Sequence, residues 1–253
     1  MKIETTSSIQ VIDRLAALLD ALASEGDGAS LKILAAETGL HPSTAFRILG
    51  ALAVHDFVAR DEQGHYRLGP HLLRLAAKAR VGLDVRAAAR PEMEALRDQV
   101  GETVNLTVRQ GDEVVYVERV TPNRMMRVEQ VVGSRAPLHV TAVGKLMLGE
   151  AGAAAIRDYA RRTKLTAYTP NTRADLQKLL EDVGASTARG YALDDEEAEL
   201  GVGCIGALVR DATGNAVAGL SVSAPMERRR LEWVERVQEA ARKISERLGY
   251  GQG

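Results

Sequence analysis

The sequence of 253 residues has a single cysteine, few aromatic residues and no excess of charge of either sign. Because Cys204 stands alone, the chain has no internal disulfide framework and no cluster of thiolates for zinc, which indicates a reducing compartment. Aromatic side chains make up 4% of the sequence. This is too few for the stacking platforms that bind single-stranded nucleic acid.

Long hydrophobic runs are also missing. No apolar run approaches the roughly 18 residues of a membrane span, and residues 1–10 lack the basic start and apolar stretch of a signal peptide. We therefore expect a cytoplasmic protein with no membrane partner. The formal net charge of −1 excludes a polybasic protein that attracts nucleic acid by bulk charge. At roughly 100–200 residues per domain, the length allows one large domain or two modest ones.

The first third of the chain has the periodicity of short helices. Apolar residues at helical spacing over 8–23 predict an amphipathic helix, with Ser7 or Ser8 as its cap and residues 26–28 as its end. A second helix is predicted over Leu31–Thr38. A third opens at His41-Pro42, because proline suits the first helical turn, where its missing N–H would have no partner.

After the third helix the pattern changes to that of a β-hairpin, with Phe57–Arg60 and His65–Leu68 on either side of a polar turn. Three helices followed by a hairpin is the order of a winged helix-turn-helix. We therefore predict such a domain over residues 1–70, with the helix-turn-helix at about 31–50. A linker helix is predicted over 71–82.

Residues 83–253 mix helices and strands, which predicts an α+β fold for this second domain. The predicted helices are Asp84–Val100, Thr141–Leu148, Ala153–Arg162, Arg173–Thr187 and Met226–Leu248. The predicted strands are Thr103–Arg109, Glu113–Val120, Arg124–Val132, Gly203–Arg210 and Ala216–Ala224.

The third helix has an apolar face and an opposite face that is small or polar. Ser43 and Arg47 lie on the polar side, with Thr44 at the helix start. Serine and threonine hydroxyls reach phosphates or bases, and arginine pairs with guanine through two hydrogen bonds. In the alternative interpretation, Ser43 and Thr44 merely start a helix and Arg47 is a solvated charge. The order of helix, turn, helix and hairpin favours DNA binding.

The hairpin supplies further candidate DNA contacts as the wing. Arg60, His65 and Arg67 flank it and can reach the phosphate backbone or the minor groove. Asp61 and Glu62 at the tip repel phosphate. We therefore expect a weak contribution from the wing.

The predicted DNA-binding part carries no net charge. Residues 1–82 contain nine lysines and arginines and nine aspartates and glutamates. Non-specific attraction to a duplex is therefore modest, and a single copy would bind poorly. We expect a dimer on a palindromic site in double-stranded DNA.

The second domain contains a candidate anion site. Ser221 and Ser223 lie two residues apart on a predicted strand, so that both hydroxyls point to one face and could hold a carboxylate. Thr141 begins a helix with no acidic side chain near its start. The backbone N–H groups at Ala142 and Val143 therefore present a partially positive helix end to the same anion.

Two other interpretations of the second domain stay open at this point. In an enzyme, Cys204 would be a nucleophile, or His139, Asp194 and Cys204 would bind a metal. The sequence places no base next to Cys204 and has no metal-ligand spacing. In a protein-interaction module, the apolar stripe of the last helix would bind a partner. That stripe consists of Leu231, Val234, Val237, Ala241, Ile244 and Leu248.

Several segments resemble the IclR (isocitrate lyase regulator) family of bacterial transcription factors. The family's helix-turn-helix is similar to residues 31–49, LKILAAETGLHPSTAFRIL, and its wing-to-linker junction is similar to residues 66–69, YRLG. Its effector-domain landmarks are similar to PLHVTAVGK at 137–145, GYALD at 190–194, Glu197, GVGC at 201–204 and SVSAP at 221–225. The resemblance covers essentially the whole chain, with the motifs in the family's order.

The resemblance implies a GAF-like C-terminal domain that binds a small metabolite, with a dimer or a dimer of dimers on operator DNA. Asp194 and Cys204 match positions that line the ligand site in relatives. An aspartate beside an anionic ligand implies a ligand hydroxyl or hydrate that donates to it. No catalytic residue, metal or cofactor is expected, apart from a small carboxylic acid as effector. Family members repress or activate, so the sign of regulation stays open, and a catabolic operon is the expected target.

Overall fold

The structure, a computed structural model, describes residues 9–26, 28–80 and 84–251. These residues form two compact units, which divide between residues 82 and 83. The predicted caps Ser7 and Ser8 and the turn residue Asp27 lie outside the described residues.

The first unit folds around a small apolar core. Its described elements are α1 (Gln10–Ser24), α2 (Leu31–Thr38), α3 (Pro42–Val54), β1 (Val58–Arg60), β2 (Tyr66–Leu68) and α4 (Pro70–Arg80). Leu18, Leu34 and Leu49, one from each of the first three helices, are completely buried together. β1 and β2 pair antiparallel as the predicted wing, and Tyr66 of β2 closes the core from that side.

Local signals in the sequence fix the turn between α2 and α3. The Ser30 hydroxyl caps α2 by accepting a hydrogen bond from the Ile33 N–H. Gly39 ends α2 in the left-handed conformation at φ 64°, which glycine adopts at little cost. The Nδ1 atom of His41 then accepts from the Ser43 N–H at the start of α3. The helix-turn-helix follows the predicted boundaries closely.

The second unit is an α+β domain, as predicted. Its helices are α5 (Val85–Val100), α6 (Ala142–Thr163), α7 (Leu176–Arg189) and α8 (Trp233–Arg247), with a short 3-10 turn at Leu138–Val140. Its strands are β3 (Thr103–Gln110), β4 (Glu113–Val120), β5 (Arg135–Pro137), β6 (Ala192–Asp195), β7 (Val202–Arg210) and β8 (Ala216–Pro225). They form one antiparallel sheet in the order β5-β4-β3-β8-β7-β6.

The two faces of this sheet differ in chemistry. Alternate residues of the central strands, including Leu106, Ile205 and Leu220, form an apolar core with α5 and α8. The other face carries polar residues and is covered in part by α6. The apolar stripe of the last helix packs against the apolar face of the sheet. The exception is Leu231, which is 61% exposed. The stripe is therefore mainly core.

Two predicted elements are wrong. Residues 124–132 do not form a strand, because side chains rather than a neighbouring strand hold their carbonyls: Thr103 Oγ1 donates to Val128 O at 2.6 Å. The last helix begins at Trp233 rather than Met226. The preceding turn leaves the Arg228 guanidinium free to reach the buried Glu102 carboxylate at 2.6 Å.

Two further boundaries depend on short features. The predicted helices at 141–148 and 153–162 are consecutive parts of α6, which bends at Gly152 (φ 80°, ψ 167°). Strand β6 was not predicted. Its four residues, Ala192–Asp195, end in two aspartates, a composition also typical of a solvated loop.

Candidate functional site

The surface of α3 is as the helical pattern predicted, with one exception. Ala45 and Leu49 are buried, whereas Ser43 and Arg47 are exposed and Thr44 is half-buried. Within the described residues no carboxylate pairs with Arg47, so its guanidinium is available to a ligand. The exception is Phe46, which is 49% exposed on the same side as Ser43. This face is therefore not wholly small or polar.

Ser43 is held in a defined orientation. Its hydroxyl lies 2.8 Å from Nδ1 of His41, the residue that caps α3. Phe46 lies one turn further along. In the major groove an exposed phenyl ring can contact a thymine methyl group. Neither His41 nor Phe46 was singled out from the sequence, although the His-Pro-Ser start of the helix contains the cap.

The wing holds its charged residues by local contacts. Arg60 Nε donates to the Gly64 carbonyl at 3.4 Å, and its guanidinium lies 5.3 Å from the centre of the Tyr66 ring. Asp61 accepts the His65 N–H at 2.8 Å, which lowers the pKa of the Asp61 carboxyl and keeps it ionised at the tip. His65 and Arg67 are exposed. The negative tip is consistent with a weak contact to phosphate.

The polar face of the large sheet brings distant residues into register. Asp194 on β6 pairs with Cys204 on β7, and Cys204 pairs with Ser223 on β8. Ser221, two residues before Ser223, pairs with Asn105 on β3. These side chains therefore share one face of the sheet, in two adjacent cross-strand rows.

The N-terminus of α6 lies directly on this face because two glycines leave room for it. A Cβ at Gly219 would lie 2.6 Å from the Val143 Cβ, and one at Gly206 would lie 2.7 Å from its Cγ1. Thr141 caps the helix by accepting the Gly144 N–H at 3.1 Å. The N–H groups of Ala142 and Val143 are in the first helical turn and have no acceptor within the helix. With no acidic residue in that turn, they form an anion-accepting end.

A small cavity of about 60 Å³ lies between this helix end and the sheet. Five of the six predicted effector residues line it: Ala142, Val143, Asp194, Cys204 and Ser221. Its other lining residues are Tyr116, Gln130, Ala136, Thr141, Ala198, Glu199 and Val202. The sixth predicted residue, Ser223, is not among the lining residues.

The hydroxyl of Ser223 is already used within the sheet. It accepts a hydrogen bond from Asn105 Nδ2 at 3.1 Å and lies 3.2 Å from the Cys204 sulfur. Ser221 is therefore the serine that faces the cavity, and Ser223 orients the thiol beside it.

Asp194 is a carboxyl of the cavity wall whose environment changes its pKa. It is 3% exposed, and this burial raises the pKa of its carboxyl to about 6. The Glu197 N–H, which donates to Asp194 Oδ1 at 2.8 Å, opposes the rise because it favours the charged form. A carboxyl with this pKa can accept or donate a hydrogen bond near neutral pH, according to the ligand in the cavity.

Comparison with known proteins assigns both units. The model of the IclR helix-turn-helix domain matches residues 11–62, and the model described as Bacterial transcriptional regulator IclR C-terminal matches residues 77–246. The chain belongs to the IclR family. As a member of it, the chain is a DNA-binding transcriptional regulator with a C-terminal effector domain.

The similarity extends over almost the whole length of other IclR-family proteins. The HTH-type transcriptional repressor AllR of Escherichia coli K12 is 34% identical over 95% of this chain and 90% of its own length. The repressor BlcR of Agobacterium tumefaciens is similar in structure, with a TM-score of 0.77, 30% identity, and coverage of 98% of this chain and all of BlcR. An IclR homologue from Microbacterium hydrocarbonoxydans, solved with 4-hydroxybenzoate, has a TM-score of 0.62 and 25% identity over 94% of this chain and 98% of its own.

This IclR-family chain is a regulator and not an enzyme, and the site chemistry agrees. Burial raises the pKa of the Cys204 thiol well above its ordinary value, so the sulfur is protonated rather than nucleophilic. His139 is occupied elsewhere. Its Nδ1 lies 2.7 Å from the Tyr159 hydroxyl, and its Nε2 lies 3.0 Å from the Thr166 carbonyl, so neither ring nitrogen is free for a metal or for Cys204.

The described part of this IclR-family chain has neither a metal-binding cluster nor a membrane-spanning helix. No group of three or more potential ligands among its histidines, cysteines, aspartates and glutamates is arranged to hold a metal ion. No helix in the same residues has the length and apolar composition required to cross a bilayer.

Sequence reasoning missed several functional candidates of the IclR-type effector domain. Tyr116 and Gln130 line the cavity from β4 and from the segment after it. Their contribution depends on how the sheet and that segment fold together, which no local pattern encodes. Lys145 and Glu197 both belong to the effector-domain landmarks of the family. They form a buried ion pair beside the cavity. An acidic motif residue and a lysine in an apolar helix start were the available signals.

Proposed function

We propose that this regulator binds a palindromic operator as a dimer or a dimer of dimers, and that a small carboxylate bound in the cavity changes its affinity for that operator. The observation that carries this proposal is the convergence of the α6 N-terminus and Ser221 on one small cavity. Two free N–H groups and a hydroxyl fit the two oxygens of a carboxylate.

The size and the polarity of the cavity restrict the effector further. About 60 Å³ is far below the roughly 300–1,000 Å³ of pockets for drug-sized ligands, so an acid of a few carbons fits without movement of the walls. Asp194 would accept a hydrogen bond from a hydroxyl or hydrate of that acid, with the Cys204 thiol beside it. The 4-hydroxybenzoate in the Microbacterium relative supports the carboxylate class, although its ring needs a larger space.

On the DNA side, α3 would lie in the major groove with Ser43, Thr44 and Arg47 toward the bases and phosphates. Phe46 would add an apolar contact. Arg60, His65 and Arg67 of the wing would contact the backbone weakly. In this proposal, the domains are a winged helix-turn-helix at 1–70, a linker helix at 71–82 and an effector domain at 83–253.

Fluorescence anisotropy tests the proposal with labelled DNA taken from upstream of this chain's own gene. Binding is measured with acetate, glycolate, lactate or pyruvate, and with the matching neutral amides. We expect one of the acids, but not its amide, to change the operator Kd. Ser221→Ala should lose this response and keep its DNA affinity. An equal response to the amide, or a full response in Ser221→Ala, would contradict a carboxylate site at Ser221.

A further inference from the structure

The loop between β6 and β7 forms part of the cavity wall. This cover loop, residues 196–201, contributes Ala198 and Glu199 to the cavity lining. Its outer part, including Leu200, is exposed, so little apolar burial holds it in place. Glu196 at its start has a positive φ of 60°, which is costly for a residue other than glycine. The cover loop therefore depends on polar contacts for its position.

One of these polar contacts is a buried ion pair, and others are hydrogen bonds at Glu196, whose carbonyl accepts from the Thr169 hydroxyl at 2.6 Å and whose carboxylate accepts from the Gly201 N–H at 2.7 Å. The Lys145 Nζ, on the first turns of α6, lies 2.6 Å from the Glu197 Oε1 of the cover loop and 2.7 Å from the Asp182 Oδ2 of α7. Lys145 is 1% exposed and Glu197 is fully buried. Burial raises the pKa of the Glu197 carboxyl and the Lys145 ammonium opposes that rise, so the buried position of this carboxylate depends on its pairing with Lys145.

Glu197 also fixes the effector-facing carboxyl. Its backbone N–H donates to Asp194 Oδ1 at 2.8 Å, and its carbonyl accepts from the Thr172 hydroxyl at 2.7 Å. The second oxygen of its own carboxylate, Oε2, is buried and has no hydrogen bond within the described residues. Lys145 is therefore the charged partner of this carboxylate, which otherwise accepts only a longer hydrogen bond from the Asp195 N–H at 3.5 Å within the described residues.

The pairing is arranged so that it can be broken and remade. If Glu197 moves out with the cover loop, Lys145 keeps Asp182 as its counterion. Asp182 is also hydrogen-bonded by Arg173 Nε at 3.3 Å, outside the cover loop. Opening therefore leaves no isolated buried lysine, and Glu197 becomes solvated.

We propose that Glu197, held by Lys145, is a positioning residue that orients Asp194 and latches the cover loop, and that effectors enter and leave by opening of this loop. The role in effector entry rests on the proposed function. The latch itself does not, because it can be measured without DNA or effector.

The single cysteine of the chain reports on the latch, because Cys204 lies in the cavity beneath the cover loop. Alkylation by iodoacetamide is followed by mass spectrometry on the full chain without ligand. Glu197→Gln removes the negative charge that pairs with Lys145, and this should raise the alkylation rate about 10- to 100-fold. Glu181→Gln neutralises an exposed carboxylate next to Asp182 and should leave the rate unchanged.

Two features separate a latch from a general loss of stability. Opening of the loop raises the rate at every pH, whereas a changed thiol pKa shifts the pH profile. Alkylation through this local opening also depends weakly on urea, because opening of the loop exposes little surface. An unchanged rate in Glu197→Gln, or alkylation with the full urea dependence of global unfolding, would overturn the proposal.

Hydrogen exchange of the wild-type chain tests the latch if Glu197→Gln does not fold. The amides of residues 196–201 should exchange through local opening, faster than those of β7 and β8. Exchange only by global unfolding would refute the latch. Protection of Cys204 by glycolate tests the effector chemistry separately, and its absence counts against the proposed carboxylate and not against the latch.

Discussion

The carboxyl of Asp194 links the chemistry of the cavity to the stability of the effector domain. Its pKa of about 6 lies above the ordinary value of 3.8, because burial disfavours the charged form. The folded chain therefore binds this proton more tightly than the unfolded chain. The stabilisation is fully present below the unfolded pKa and is lost as the pH rises through the folded one.

Asp194→Asn should remove this pH dependence. From pH 5 to pH 8 the unfolding free energy of wild type should fall by about 1–2 kcal/mol relative to that of the variant, because asparagine has no proton to lose. Urea unfolding followed by Trp233 fluorescence measures this free energy, because Trp233 lies in the unit that contains the cavity. Asp98→Asn, an exposed carboxyl on α5, is the control and should differ from wild type equally at both pH values.

Arg47 is the residue of α3 best suited to identify a base pair. If it pairs with guanine through two hydrogen bonds, Arg47→Ala should weaken specific operator binding by about 1–3 kcal/mol. Substitution of that guanine in the operator should abolish the difference between the two proteins. Anisotropy curves that coincide for variant and wild type on the intact operator would exclude this contact.

Phe46 gives a second prediction on the same helix face. A phenyl ring against a thymine methyl loses its contact when thymine is replaced by uracil. Wild-type protein should therefore bind a uracil-substituted operator more weakly than the normal one, and Phe46→Ala should bind both with equal affinity. Arg47→Ala serves as the matched control, because it should retain the preference for thymine.

At the scale of elements, the contact between α6 and the sheet positions the anion-accepting helix end. Gly219→Ala would place a methyl group 2.6 Å from the Val143 Cβ, which forces the helix away from the sheet. We expect a loss of about 1–3 kcal/mol, typical of overpacking. Gly184→Ala, in α7 with open space around it, should instead stabilise by up to about 1 kcal/mol. Chemical unfolding of both variants measures these opposite signs.

The elements that sequence predicts well are those with strong local signals. Gly39 and the His41-Pro42 start define the helix-turn-helix, and alternation defines β7 and β8. The path of residues 124–132 and the late start of α8 depend instead on the buried Glu102, which binds two arginines from distant segments. Five of six effector candidates reach the cavity lining, but Ser223 does not, because a partner on another strand, Asn105, takes its hydroxyl. Long-range partners of this kind leave no local pattern.

At the scale of the whole molecule, the affinity for DNA depends on both the net charge of residues 1–82 and the proposed two-fold symmetry. Nine positive and nine negative side chains in residues 1–82 give little general attraction to DNA. Affinity must therefore come from a few local contacts, and in the proposed dimer two symmetry-related α3 helices would double their number. Such binding should lose less affinity with added salt than that of a polybasic protein, because few phosphates are neutralised.

If the chain binds as the proposed dimer and dimerises through residues 83–253, residues 1–82 alone should bind the operator more weakly than the full chain. Fusion of the fragment to a leucine zipper should restore most of the affinity, since linkage of two sites raises the effective concentration of the second. Analytical ultracentrifugation gives the number of chains per duplex, and anisotropy gives the Kd. A monomeric fragment with the affinity of the full chain would show that one α3 suffices, and would remove the need for a palindromic operator.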